Sequence, residues 1–157
     1  MLGRVGVTEP TFRAAIAGPF GPVSLVERGG HLVALEWGWV DDAPTPLLGE
    51  GLRQMQAYFD RRLGRFDLPF DWGGGLHAAV RRAMADIPMG ETQTYGQIAR
   101  AVGAPAQAVG QACGANPLPI LIPCHRVTGT NWFGGYSAAG GVETKAALLR
   151  HEGALLL

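Results

Sequence analysis

The sequence predicts an α+β fold: a small N-terminal half of β-hairpin or sheet plus one helix, then a mostly helical C-terminal half with a helix-turn-helix-like motif. Three observations lead there. Short apolar runs separated by Gly-rich turns occupy the first 35 residues. Apolar residues then recur at helical spacing from Leu48 and again from Leu76. Two short helical stretches flank the Gly-containing turn Gly103-Ala104-Pro105.

Phe12 to Ala17 reads as a strand closed by the turn-forming Gly18-Pro19-Phe20-Gly21-Pro22. Val23 to Val26 and Leu32 to Leu35 are a strand pair. Gly29-Gly30 between them is a hairpin signal, because Gly takes positive φ at no steric cost. Asp41 to Pro46 reads as a loop. Leu48, Leu52, Met55 and Phe59 form one helical stripe, expected to end at Gly64. Phe66 to Gly75 is a Pro- and Gly-containing connection, which divides the chain into an N-terminal α/β domain (1–75) and a C-terminal domain (76–157).

Beyond it, Leu76, Val80, Ala83, Met84 and Ile87 make a second stripe, stopped by Pro88. Thr94 with Gln97 is a capping-box pattern that starts a short helix through Ala101. Ala106 to Ala115 forms the next helix, ended by Asn116-Pro117. Leu118 to Ile122 reads as a buried segment. Val142 to Glu152 is the final helix, with Gly153 at its C-terminal cap.

Composition narrows the function classes. Apolar residues are 47% of the 157, enough for a packed core, while charged residues are 17% against the roughly 25% usual for soluble domains. Thirteen basic and thirteen acidic side chains cancel, so no overall field draws the chain to nucleic acid or an anionic membrane. Residues 1–75 carry seven basic and nine acidic residues, net −2, and residues 76–157 six and four, net +2. No apolar run reaches the ~18 residues of a membrane span, and the N-terminal residues lack a secretory apolar region, so a cytoplasmic protein is expected. Cys113 and Cys124 lack CxxC spacing, no metal-ligand cluster is evident, and no phosphate-cradling Gly loop occurs.

The chemistry gathers around Pro123-Cys124-His125-Arg126-Val127. A thiol with an ordinary pKa of about 8.5 is only a few per cent thiolate at neutral pH, so a nucleophilic Cys needs a base. His125 is adjacent, though neighbouring side chains often point apart and a water can be needed between them. Glu152 is a candidate carboxylate to orient the imidazole. On composition alone, Cys124 also reads as a small buried hydrophobe.

The string Asn116-Pro-Leu-Pro-Ile-Leu-Ile-Pro-Cys-His-Arg-Val127 closely resembles the active-site signature of the O6-alkylguanine-DNA alkyltransferases. Ile87 to Ala99 resembles that family's entry to the helix-turn-helix, Gly135-Tyr136-Ser137 its active-site loop, and Lys145 to Gly153 its closing helix. Weaker matches are Phe20 to Leu25 and Asp67 to Phe70. The resemblance implies repair of double-stranded DNA bearing O6-alkylguanine by a single-turnover transfer, by a monomer without cofactor or metal. It implies that Cys124 accepts the alkyl group, His125 is a water-relayed base and Glu152 holds the imidazole. Tyr95 would help protonate the leaving O6, Asn116 would brace the active-site turn, the Val127 carbonyl and Ser137 backbone would read guanine, and Tyr136 would line its pocket. Gln107, Ala108, Arg100 and Arg126 stand at DNA-binding positions, Arg126 reading equally as structural.

The chain departs from that family where an intercalating Arg is expected: the position is Gln107. The turn between the two helices is about two residues short, and the 22 positions from Gly103 to Cys124 hold no charged residue. Arg81, Arg82, Arg100 and Arg126 are then the candidates for phosphate contacts. Three other readings stay open: a lesion-binding module with little transfer, a thiol alkyl acceptor for a substrate other than duplex DNA, and a Cys-His hydrolase. Cys113 reads as a packing residue. His31, His77 and His151 have no evident partner, and Trp72 and Trp132 either cover the pocket or fill space.

Overall fold

A computed structural model describes residues 9–130, 134–136 and 140–154. Three antiparallel strands run β1 (Thr11–Ile16), β2 (Val23–Arg28) and β3 (His31–Trp37), with β2 central. Gly29 and Gly30, at φ 60° and 77°, make the β2–β3 turn, as two successive positive φ angles require.

Helix α1 (Pro46–Phe59) packs on this sheet. Thr45 caps it by accepting from the Leu48 amide at 3.0 Å, and Pro46 occupies the first turn, where its missing N–H costs nothing. Gly51 faces β2 so closely that a Cβ there would sit 2.8 Å from Leu25. The buried stripe is Leu48, Gly51, Met55 and Tyr58, with Leu52 and Phe59 only partly buried. The face is thus turned from the expected one. The helix stops at Phe59 rather than Gly64: Arg61 takes the left-handed conformation at φ 62°, and the Arg62 amide closes onto Ala57 O at 2.8 Å.

The connection is pinned by side chains and by the sheet edge. Gln54 is buried and exchanges bonds with the Asp67 carbonyl and amide at 3.0 and 2.9 Å. Leu32 bridges Phe70 beside β3. Helix α2 (Gly75–Ala85) follows, then β4 (Gln93–Thr94) and α3 (Tyr95–Val102). The expected capping box is present, Gln97 N to Thr94 Oγ1 at 3.1 Å and Thr94 N to Gln97 Oε1 at 2.8 Å. After Gly103 (φ 71°), α4 (Ala106–Gly114) completes the helix-turn-helix outline. A 3-10 turn (Cys124–Arg126) leads into β5 (Val127–Thr128), which pairs parallel with β4; α5 (Gly141–Glu152) ends at Gly153, φ 83°.

One buried cluster draws on both sides of residue 75, including Leu25, Leu48 and Met55 from one side and Met84, Leu118 and Leu148 from the other. No described helix is long and apolar enough to cross a membrane, and among the described residues no three His, Cys, Asp or Glu gather as metal ligands.

Candidate active site

Residues 116–124 form a string of tight turns. Asn116 is buried and bonds at both ends of its amide: Nδ2 donates to Ile122 O at 2.9 Å, and Oδ1 accepts from Leu118 N at 3.1 Å. Leu118 to Ile122 is wholly buried, as expected. Ile120 sits at φ 71°, a region that a β-branched residue enters only when its surroundings force it. Backbone bonds of 2.8 Å from Leu121, Ile122 and Cys124 to Pro119, Leu118 and Ile122 close the turns. The N-terminal sheet holds this loop too, through Leu35 N to Pro117 O at 2.9 Å.

Cys124, so presented, is 8% exposed. Burial pushes its thiol up, opposed by a bond from the Asn116 side chain and by the charge of Lys145. The resting sulfur is therefore protonated, and ionisation depends on a base. His125 is completely buried, and burial holds its imidazole below the ordinary value, in the neutral form. Its Nε2 lies 2.6 Å from Glu152 Oε2. With the proton on Nε2, donated to that carboxylate, Nδ1 carries the lone pair; Nδ1 has no hydrogen-bond partner among the described residues. Burial alone would raise Glu152, but the bonds from His125 and Arg126 and the guanidinium charge hold it well below the usual carboxylate range. A third donor reaches it from α1, the Tyr58 hydroxyl at 2.6 Å.

Cys124 opens into a cavity of about 920 Å³. Tyr95, Gln107, Cys113 and Tyr136 supply its larger walls, and Gly96, Gly110, Gly114, Gly129 and Gly135 keep the rest low. Lys145 is fully buried and donates to Val127 O at 2.6 Å and Gly135 O at 3.1 Å, its ammonium 5.9 Å from the Tyr95 ring centre. Burial lowers it to about 8, against the pull of Cys124 and Cys113. Gly134 is needed here: at φ 84°, a Cβ would stand 2.8 Å from the Tyr95 hydroxyl and 2.9 Å from Lys145 Nζ.

The structure thus gathers Cys124, His125 and Glu152, with Tyr95, Tyr136 and Gln107 on the cavity wall. Asn116 stands behind that wall as a brace, not on it. Val127 is buried and its carbonyl already accepts from Lys145. Ala108 is half-buried on α4 and does not line the cavity, whereas Ala106 does. Arg100 is exposed on α3. Arg126, expected among the DNA-binding positions, is buried inside the protein rather than set on its surface. It is 2% exposed, its guanidinium spent on Glu152 (2.8 and 3.1 Å), Ile87 O (2.7 Å) and Gly64 O (3.2 Å). Arg81 is likewise buried, bonded to Trp72 O and Ala115 O, which leaves Arg82 and Arg100 as the exposed candidates. Ser137 and Trp132 lie outside the described residues.

Trp72 does not line the cavity; it packs edge-on to Phe70 with the Arg82 guanidinium 4.5 Å over its ring. Cys113 packs its sulfur 3.6 Å from that of Met84 as well as lining the cavity. His151 and His31 do have partners, Tyr58 O at 2.9 Å and Gly29 O at 3.1 Å. Two site residues escape a linear reading, Lys145 and Tyr58. Each carries a polar tip on the buried stripe of its helix, and only tertiary packing decides which stripe that is, so the linear sequence offered no signal.

Residues 75–154 match the family model "6-O-methylguanine DNA methyltransferase, DNA binding domain". A methylated-DNA–protein-cysteine methyltransferase of Salmonella typhimurium is 40% identical over 165 residues, covering 90% of this chain and 95% of its own. The O6-methylguanine methyltransferase of Mycobacterium tuberculosis superposes with a TM-score of 0.79 at 35% identity, over 92% of this chain and 93% of its own. The same organism's protein in complex with DNA gives 0.80 at 37%, over 90% and 92%.

Proposed function

This chain belongs to the O6-methylguanine DNA methyltransferase family, and from that membership we propose that it repairs DNA by direct, stoichiometric transfer of an alkyl group from O6-alkylguanine to Cys124. The observation that carries it is the thiol of Cys124 set between a 920 Å³ cavity and the buried His125–Glu152 pair.

Each residue then has a task. His125 Nδ1 takes the thiol proton through one bridging water, and Glu152 stabilises the imidazolium that results. The Cys124 thiolate attacks the alkyl carbon in line: the S–C bond forms, the C–O6 bond breaks, and the electron pair leaves with guanine. Tyr95 delivers a proton to the departing O6. The product thioether is permanent, so each molecule acts once. Reaching the lesion requires the base to leave the duplex, and the low Gly and Ala wall of α4 admits a close approach to a groove. Tyr136 lines the flipped base's pocket, and the Ser137 backbone helps read its edge. The protein acts as a monomer on double-stranded DNA.

The test is intact-protein mass spectrometry after incubation with an oligonucleotide bearing O6-methylguanine. One added methyl on Cys124, absent from Cys124→Ala, is expected. Tight lesion binding without mass gain points instead to a lesion-binding module.

One observation favours a second substrate class: Gln107 and Gln111 stand uncharged at the cavity mouth, in a stretch free of charge from Gly103 to Cys124. Under that alternative the methyl is taken from the free base or a single strand faster than from the duplex, which the same mass measurement distinguishes.

A further inference from the structure

We propose that Tyr58, on helix α1 of the N-terminal half, is a positioning residue for the transfer: it fixes the carboxylate that orients His125. The inference rests on the reaction proposed above and adds to it a part for the first 75 residues.

Tyr58 and Glu152 are 94 residues apart, and the hydroxyl donates to Oε2 at 2.6 Å. That same oxygen faces His125 Nε2 at 2.6 Å and accepts from Arg126 Nη2 at 3.1 Å, while Oε1 accepts Arg126 Nε at 2.8 Å. Tyr58 and His125 are wholly buried and Glu152 is 6% exposed, so water does not share this load. Tyr58 also grips the neighbouring residue of α5: its carbonyl lies 2.9 Å from His151 Nε2, and its ring centre 5.1 Å from that imidazole and 5.6 Å from Phe66. Two consecutive residues of α5 are thereby clamped to α1. A helix end free to slide by a fraction of an ångström would swing the carboxylate away from Nε2 and release the ring orientation.

The bond also sets how strongly Glu152 pulls on the His125 proton. A carboxylate that accepts from both a phenol and a guanidinium has less electron density for the imidazole, so it favours imidazolium less. The other groups facing His125 are Arg126 and Lys145, which disfavour its protonated form, and Cys124, whose thiol is protonated at rest; Tyr136 stands nearby with its hydroxyl protonated. Removing the Tyr58 hydroxyl strengthens the pull of Glu152. The imidazole then holds a proton to higher pH and is lost as a base sooner.

The experiment compares full-length wild type, Tyr58→Phe and Phe66→Leu. Two rates are measured against pH: methyl transfer from an O6-methylguanine oligonucleotide, and alkylation of Cys124 by iodoacetamide, which needs no DNA. In Tyr58→Phe the acid limb of both profiles moves up by roughly one pH unit, about a tenfold rate loss at a fixed pH below it. Phe66→Leu loosens the same ring packing but keeps the hydroxyl; it lowers the melting temperature and leaves the limb in place. Unmoved limbs in Tyr58→Phe, or equal movement in both variants, overturn the proposal. Wild type that reacts with iodoacetamide but takes no methyl overturns the proposed function instead. Should Tyr58→Phe not fold, the wild-type proton spectrum decides: downfield hydrogen-bonded protons on Tyr58 and His125 Nε2 are expected, and their absence is fatal.

Discussion

The side-chain amide of Asn116 spans the loop ahead of Cys124, donating to Ile122 O at 2.9 Å two residues before it. It stands in for the backbone pairing that a run of prolines and tight turns cannot make. The Asn116 side chain also restrains the rise that burial gives the Cys124 thiol.

Asn116→Ala removes two buried bonds: the Leu118 amide loses its acceptor, and Ile122 O keeps only the bond from Cys124 N. A loss of about 1–3 kcal/mol is expected in urea unfolding. The Cys124 thiol also becomes harder to ionise, so iodoacetamide alkylation at pH 7 slows in the folded variant. Unchanged thiol reactivity would contradict the second role.

Arg126→Met strands Glu152 in the interior without its guanidinium, at an expected cost of about 3–5 kcal/mol. The salt dependence of DNA binding by the folded protein stays unchanged, because this buried side chain meets no phosphate. A salt slope lower by about one would restore Arg126 as a DNA contact.

Acid weakens the fold in two stages. His125 is held below its ordinary 6.5, so as pH falls below 6.5 the unfolded chain binds a proton that the folded chain does not, and stability drops. Glu152 is held below its ordinary 4.5, so its contribution, full above 4.5, is lost as pH falls further. Urea midpoints measured from pH 8 to 3 should show both limbs, and His125→Gln should lack the first.

Gln107→Arg adds a cation at the cavity mouth on an exposed position. Duplex affinity should rise, with a salt slope steeper by about one, and transfer should quicken. A clear loss of transfer would show that Gln107 serves a ligand other than duplex DNA.

Gly134→Ala places a methyl within 3 Å of both the Tyr95 hydroxyl and Lys145 Nζ, at a positive φ that alanine resists. The backbone strain costs about 1–3 kcal/mol. Transfer should fall more than the melting temperature explains, since Tyr95 lines the cavity and Lys145 holds Gly135 of its wall. Equal loss in transfer and stability would remove Gly134 from the site's architecture.

Local rules in the chain were enough for most elements and for singling out Cys124. Gly29-Gly30 dictated the hairpin, Thr94 and Gln97 the start of α3, Gly153 the end of α5, and Pro123-Cys124-His125 the chemistry; each acts over a few residues, which a linear reading can see. Helix α1 shows where that ends. Its stripe was set by Leu25 pressing on Gly51, so the buried face turned toward Tyr58, and Arg61, in the left-handed conformation, ended the helix before Gly64. The fates of Arg126, Tyr58 and Lys145 were likewise invisible, because burial of a polar group depends on partners 26, 94 and 18 residues away. Spacing along the chain could nominate Cys124, His125 and Glu152. Only packing of the two halves could dry that carboxylate, surround it with three donors and leave His125 neutral, since solvation is a property of the assembled interior and not of any segment.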